Sequence, residues 1–333
     1  MLCIKTPAKV NLFLNIQGQR PDGFHELAMV MQTLSLFDEL LIEPASGQRG
    51  ISLEYTPNAL GKRLAQEAPE SNLIVKAYHL FNAYLQRHHT KYPTLDLKVT
   101  LNKQIPVQAG LGGGSSDAAA MLLALNHLNY NPLTIEALRI LAAELGSDVP
   151  FFLTGGMALV SGRGETVEPL DLALNEREWI YSWVVIKPKT FGISTAQAYQ
   201  AVRQAARYHT ASPEYMLLAM RKLAKATRNK PHETGQRLKE FENYLLNDFE
   251  PVLFAHYPQL EDIAARLKEL GANRPLLSGS GPSMTAILPM THTHQKLVAR
   301  TFPDSQYDVF WTYPHPGGPI QADPIRAFGS LAI

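Results

Sequence analysis

Apolar and polar residues alternate across residues 9–16 (KVNLFLNI), the two-residue period of a half-buried strand. The polar run 17-QGQRPDGFHE-26 follows as a loop. Its Pro-Asp-Gly is a turn signal, because proline presets φ and glycine accepts a positive φ. Residues 28–43 resume an apolar pattern that predicts one or two strands. Over 72–87 the residues Leu73, Val75, Ala77, Leu80, Ala83 and Tyr84 fall mostly at helical spacing, and Asn72 is placed to cap that helix. Residues 95–101 (LDLKVTL) alternate as a strand, and helices are predicted over 117–128 and 134–145. The run 147-SDVPFFLTGGMALVSGRGE-165 reads as a turn and then short strands between glycine pairs.

A second block begins near residue 178, with 179–187 (WIYSWVVIK) patterned as a buried strand. Residues 194–246 form a long helical stretch broken at Pro213 and Pro231, whose basic run 221–239 reads as a solvated face. The segment 258–270 is an amphipathic helix stopped by Gly271. Residues 274–289 read as strand, glycine loop, then strand or helix start. The last 20 residues, rich in proline and glycine, are expected to form a loosely attached tail. Strands and helices alternate irregularly and no repeat is visible, which predicts an α+β protein rather than a doubly wound sheet.

Composition narrows the class. The chain has 333 residues, 45% hydrophobic and 18% charged, as in ordinary globular enzymes with one large or two medium domains. A formal net charge of +1 gives no global field for nucleic acid or an acidic membrane surface. Cys3 is the only cysteine, so a disulfide framework and a multi-cysteine metal site are excluded. No apolar run of about 18 residues suggests a membrane span, and the first residues resemble neither a secretory nor a transit segment. The expectation is a cytoplasmic protein.

The stretch 109-AGLGGGSSDAAA-120 carries the chemistry. Glycines let backbone N–H groups approach an anion with no Cβ in the way. A helix N-terminus adds unpaired N–H groups and a positive dipole end, so a phosphate fits there. Ser115 and Ser116 offer hydroxyls to phosphate or Mg²⁺. A Walker loop is excluded, because no lysine follows the glycines. The dinucleotide pattern Gly-x-Gly-x-x-Gly fails too, with Gly110 and Gly112 fitting but serine at 115. The later loop 278-SGSGPSM-284, taken alone, reads as a plain turn.

Three segments, 7-PAKVNLFLNI-16, 106-PVQAGLGGGSSDAAA-120 and 277-LSGSGPSM-284, resemble in this order the signature motifs of the GHMP kinase superfamily. Four more, 20-RPDGFHEL-27, 71-SNLIVKAY-78, 145-LGSDVPFFLTGG-156 and 245-LLNDFEP-251, resemble its 4-diphosphocytidyl-2-C-methyl-D-erythritol kinase family. The resemblance spans roughly residues 5–290. It implies a two-domain α+β fold: a ribosomal protein S5 domain 2-like ATP-binding domain over 1–170, a ferredoxin-like domain over 171–313, a tail over 314–333, and an active site in the cleft between the domains.

It further implies phosphorylation of a CDP-linked methylerythritol by ATP, with Asp148 as base and Lys9 as its cationic partner. Pro106, Val107, Gln108, Ala109, Gly110, Leu111, Gly112, Gly113, Gly114, Ser115 and Ser116 would wrap the ATP phosphates, with Asn72 and Lys103 near the adenosine and Mg²⁺ accompanying the nucleotide. Phe24 and Tyr199 would clamp the two faces of cytosine, and His25 would read its edge. Asn11 and Thr195 would touch the diphosphate or erythritol part. The alternative within the superfamily is a homoserine, mevalonate or sugar kinase. The sequence departs from the family at Phe24, where tyrosine is usual, and in its extra length around 205–240 and after 311.

Overall fold

The computed structural model describes residues 1–45, 47, 49–171, 182–205 and 208–321. The strands run β1 (Leu2–Gln19), β2 (His25–Pro44), β3 (Ile51–Tyr55), β4 (Leu97–Asn102), β5 (Met157–Gly162), β6 (Thr166–Pro169), β7 (Ser182–Pro188), β8 (Leu246–Asn247), β9 (Leu276–Leu277), β10 (Met284–Leu288), β11 (Tyr307–Thr312) and β12 (Ile320–Gln321). Their pairing yields two sheets. The larger follows the order β12-β1-β2-β4-β3, with β5 and β6 continuing from β2 and β8 lying against β1; the smaller follows β11-β7-β10-β9. Strands and separate helices in irregular order make this an α+β fold, as the patterning predicts.

Long strands replace the short ones the alternation suggests. β1 and β2 stay paired from Leu2↔Ile42 to Gln19↔His25, with register shifts at Pro7/Ala8, Asn11/Phe13 and Ile16/Gly18. Such bulges let a long ribbon bend around a core. Behind it stands the helix Gly113–Leu128, in which Ala118, Ala119, Ala120, Met121, Leu122, Ala124 and Leu125 are all buried. A helix apolar on every side belongs inside, and its alanines allow close approach by the helix Leu73–His88. That helix starts four residues before the predicted 117, because Gly113 and Gly114 take helical geometry. Asn72 does cap Leu73–His88, accepting from the Ile74 N–H at 2.9 Å.

The smaller sheet carries the late chain. The predicted strand over 179–187 is found from Ser182, its first three residues lying outside the described ones. Among the described residues between Thr195 and Glu242 three α-helices form, Thr195–Ala205, Glu214–Asn229 and Thr234–Glu242, with breaks at the two expected prolines. Met216, Met220, Leu223, Leu238 and Phe241 bury against Val10 and Leu12 of β1 and Trp183 and Val185 of β7. These helices therefore buttress both sheets at once. Their basic face is solvated and paired, with Lys222 and Arg237 both on Glu240.

The last described residues are not loose. The His315 N–H donates to the Thr33 carbonyl at 2.8 Å, the Thr33 hydroxyl donates to the Gly317 carbonyl at 2.9 Å, and β12 pairs with β1. Backbone bonds to a long strand hold the segment where composition suggested detachment. Residues 322–333 lie outside the described part.

Candidate active site

Alternation along β1 sets the first two groups. Lys9 and Asn11, two residues apart, face the same side, and the Lys9 ammonium donates to Asn11 Oδ1 at 2.6 Å. The same ammonium stands 3.4 Å from Asp148 Oδ2. Asp148 occupies the N-cap position of the short helix Val149–Phe152 yet makes no capping bond, so its carboxylate is left to Lys9 and the cleft.

Both glycine segments close on this pair. The Lys9 N–H donates to the Leu111 carbonyl at 2.9 Å, tying the first loop to β1. Gly112, at φ +70°, leaves the space where Lys9 Cγ and the Phe152 ring pass; a Cβ would lie within 2.9 Å of both. Gly110, at φ +75°, packs so closely on the second loop that a Cβ would come within 1.9 Å of the Ser278 carbonyl oxygen. The Ser278 hydroxyl in turn donates to the Gly110 carbonyl at 3.0 Å. The late loop is thus a working wall of the site rather than an isolated turn.

These walls enclose a cleft of about 430 Å³. It brings together Lys9, Asn11, Asn72, Lys103, the run from Pro106 to Ser115, Asp148, Thr195 and Tyr199. Ser116 does not reach it: its side chain is fully buried and its hydroxyl has no hydrogen-bond partner. Lys103 meets the wall with its ammonium already engaged, by Asp38 and by Asp117 Oδ2 at 2.8 Å. Burial alone would push that ammonium's pKa down, but the Asp117 and Asp38 carboxylates more than reverse this and hold it above the ordinary lysine range. Thr6 completes the cluster, its hydroxyl donating to Asp117 Oδ1 at 2.6 Å, while the Gln104 and Ile105 N–H groups donate to Asp38. This buried network fixes the base of the glycine helix.

A second cavity of about 380 Å³ adjoins the cleft, sharing Leu27, Ser147, Arg163, Thr195 and Tyr199 with it and adding Phe24 and His25. Here the ring arrangement differs from a simple sandwich. His25 itself stacks on Tyr199, centroids 4.8 Å apart and planes 19° off parallel, and the Tyr208 hydroxyl lies 3.4 Å from His25 Nε2. Phe24 is half exposed, with the Arg163 guanidinium 4.7 Å from its ring centre. Burial and then the charge of Arg203 push the His25 pKa down. Burial and then Asp148 raise the Tyr199 phenol.

Sequence reading left two groups unassigned. Arg163 lines both cavities. The segment 247–250 joins three parts of the site: Asn247 Nδ2 donates to the Leu277 and Gly279 carbonyls at 2.7 and 2.8 Å, Asp248 accepts from the Ile16 N–H, Phe249 meets the edge of Tyr199, and Glu250 accepts from the Leu277 N–H. Its sequence signal was the quoted 245-LLNDFEP-251, which carried resemblance but no chemistry.

Two glycine loops packed on each other, the first leading into a buried helix, meet a lysine–aspartate pair at their mouth, and the relatives of the chain give this arrangement its class, the GHMP small-molecule kinases. The family "GHMP kinases N terminal domain" matches residues 72–156. A protein of Synechococcus sp. (strain JA-2-3B'a(2-13)) named 4-diphosphocytidyl-2-C-methyl-D-erythritol kinase is 36% identical over 329 residues, 95% of each chain. One of the same name from Acaryochloris marina (strain MBIC 11017) is 35% identical over 289 residues, covering 84% of this chain and 85% of its own. The chain belongs to the 4-diphosphocytidyl-2-C-methyl-D-erythritol kinase family. A solved 4-(cytidine 5'-diphospho)-2C-methyl-D-erythritol kinase superposes with a TM-score of 0.68 at 28% identity, over 94% of this chain and 100% of its own. A mevalonate kinase, at 14% identity and TM-score 0.62 over 96% and 100%, shares the fold.

Proposed function

We propose that this kinase transfers the γ-phosphoryl group of ATP to the 2-hydroxyl of 4-diphosphocytidyl-2-C-methyl-D-erythritol, a step of the non-mevalonate (methylerythritol phosphate) route to isoprenoid precursors. The names of the relatives support the acceptor. The observation that carries the chemistry is the 3.4 Å contact of Lys9 with Asp148 at the mouth of the glycine loops. In this reading Asp148 takes the hydroxyl proton, the freed oxygen bonds to the γ-phosphorus, and the bond from that phosphorus to the β-γ bridging oxygen breaks to release ADP. Such transfers run on positioning and charge stabilisation. Lys9 supplies charge, kept in place by Asn11.

The run from Pro106 to Ser115, leading into the helix N-terminus, takes the ATP phosphates, and Asn72 stands toward the adenosine. Lys103 acts from beneath the loop, because its ammonium is already paired. Phe24, His25 and Tyr199 take the cytosine, while Asn11 and Thr195 meet the rest of the acceptor. Mg²⁺ accompanies ATP, but the side chains alone do not make a metal site: among the described residues no three His, Cys, Asp or Glu groups gather to hold one. Work in the cytoplasm suits soluble substrates; among the described residues no helix is long and apolar enough to cross a membrane.

The deciding experiment measures ADP release by the purified chain with the cytidyl alcohol, homoserine or mevalonate. Turnover is expected with the cytidyl alcohol alone. Preference for homoserine or mevalonate would overturn the acceptor assignment.

A further inference from the structure

An acceptor whose base lies by Phe24 and Tyr199 and whose hydroxyl lies at Asp148 must thread its diphosphate past the residues the two cavities share. A diphosphate esterified at both ends keeps two negative charges. Thr195 and Asn11 are neutral and cannot balance them. Of the nearby cations, Lys9 is paired with Asp148 and Lys103 with Asp38 and Asp117.

Two guanidiniums remain. Arg163 lines both cavities and Arg203 lines the second; neither forms an ion pair among the described residues. Glu165, the acid nearest Arg163 in sequence, is engaged elsewhere: its Oε2 accepts from the Arg163 backbone N–H at 2.5 Å. That bond pins the turn and leaves the guanidinium to face the cavities, where it rests on the Phe24 ring. Arg203 follows Tyr199 by four residues on the helix Thr195–Ala205, so the two share a face, and its charge reaches His25.

We propose that Arg163 and Arg203 form the cationic clamp for the diphosphate of a cytidine-diphosphate-linked alcohol, with Arg163 as the principal member. This rests on the cytidyl reading of the acceptor. Guanidinium suits the task because its planar fork can donate two hydrogen bonds to one phosphate.

Calorimetry on the full chain tests the clamp, with saturating non-hydrolysable ATP analogue closing the nucleotide site to the probes. The probes are CDP-glycerol, which carries the doubly esterified diphosphate, and cytidine, which lacks it. Arg163→Gln should weaken CDP-glycerol by ~10- to 100-fold while moving cytidine less than about twofold. Arg203→Gln, on an exposed helix face, should weaken CDP-glycerol by ~3- to 10-fold with cytidine again unmoved. Arg163→Lys should recover part of the loss. Unchanged CDP-glycerol affinity in both glutamine variants would overturn the clamp while leaving the cytidyl reading intact. Wild-type protein that bound neither probe would overturn the cytidyl reading, and the clamp with it.

Discussion

Lys9 and Asp148 are held very differently. The Lys9 side chain is 4% exposed and fixed by Asn11, while that of Asp148 is 31% exposed and free of any capping bond. Even the second glycine loop presses on the lysine, since a Cβ on Gly279 would stand 2.9 Å from its ammonium. A fixed cation beside a reachable carboxylate suits the roles proposed for this pair, with Asp148 as the base. Asp148→Asn keeps the shape and removes the basicity. It should lower kcat by ~10²- to 10⁴-fold and leave the calorimetric affinity for ATP within about twofold. A variant retaining more than about a tenth of the wild-type kcat would remove Asp148 from the role of base.

The glycine loops separate two uses of one residue type. Gly110 is needed by the protein itself, because its positive φ and its contact with Ser278 both forbid a side chain. Gly110→Ala should therefore destabilise the fold by about 3 kcal/mol and abolish ATP binding. Gly114 is helical, and a Cβ there finds nothing nearer than Leu73 Cδ1 at 3.8 Å. Gly114→Ala should leave stability unchanged or raise it by about 0.5–1 kcal/mol, yet weaken ATP by crowding the cleft. Urea denaturation and ATP calorimetry on the pair check this, and equal behaviour of the two variants would sink it. Local chemistry was readable where the chain answers to itself: the Asn72 cap, the breaks at Pro213 and Pro231, the Gly271 stop. What stayed hidden depends on distant partners. The apolar pattern over 28–43 assigns no role to Asp38, yet this residue is buried on a lysine 65 residues away. Phe24 and Tyr199 suggested an open slot, and only the folded chain shows His25 resting on Tyr199. The start of the glycine helix was missed because glycine's low helix propensity argues against residues that the buried alanines behind them carry into the helix.

At the scale of the molecule, the helices between Glu214 and Glu242 press on both sheets, and the last residue of that buttress is an acid. Glu242 is 3% exposed, and its Oε1 has no hydrogen-bond partner. Burial raises its carboxyl from 4.5 to about 7, only partly offset by the Arg274 backbone N–H and by Lys239. The folded chain therefore holds this proton more tightly than the unfolded chain does. Below pH 4.5 both states are protonated and the group has no effect. As pH rises from 4.5 to about 7 the unfolded state ionises first, and stability falls by up to about 3 kcal/mol before levelling off. Glutamine cannot ionise, so Glu242→Gln should escape this loss. The stability gap between variant and wild type, from urea denaturation at pH 5 and pH 8, should widen toward the higher pH by about 2–3 kcal/mol in favour of the variant. Contributions from other titrating groups are common to both proteins and cancel in that difference. A gap that stayed constant with pH would mean that Glu242 ionises in the folded protein as easily as in water. The junction between these helices and the sheets would then be wet, and the buttress would add little to holding β1 and β7 together.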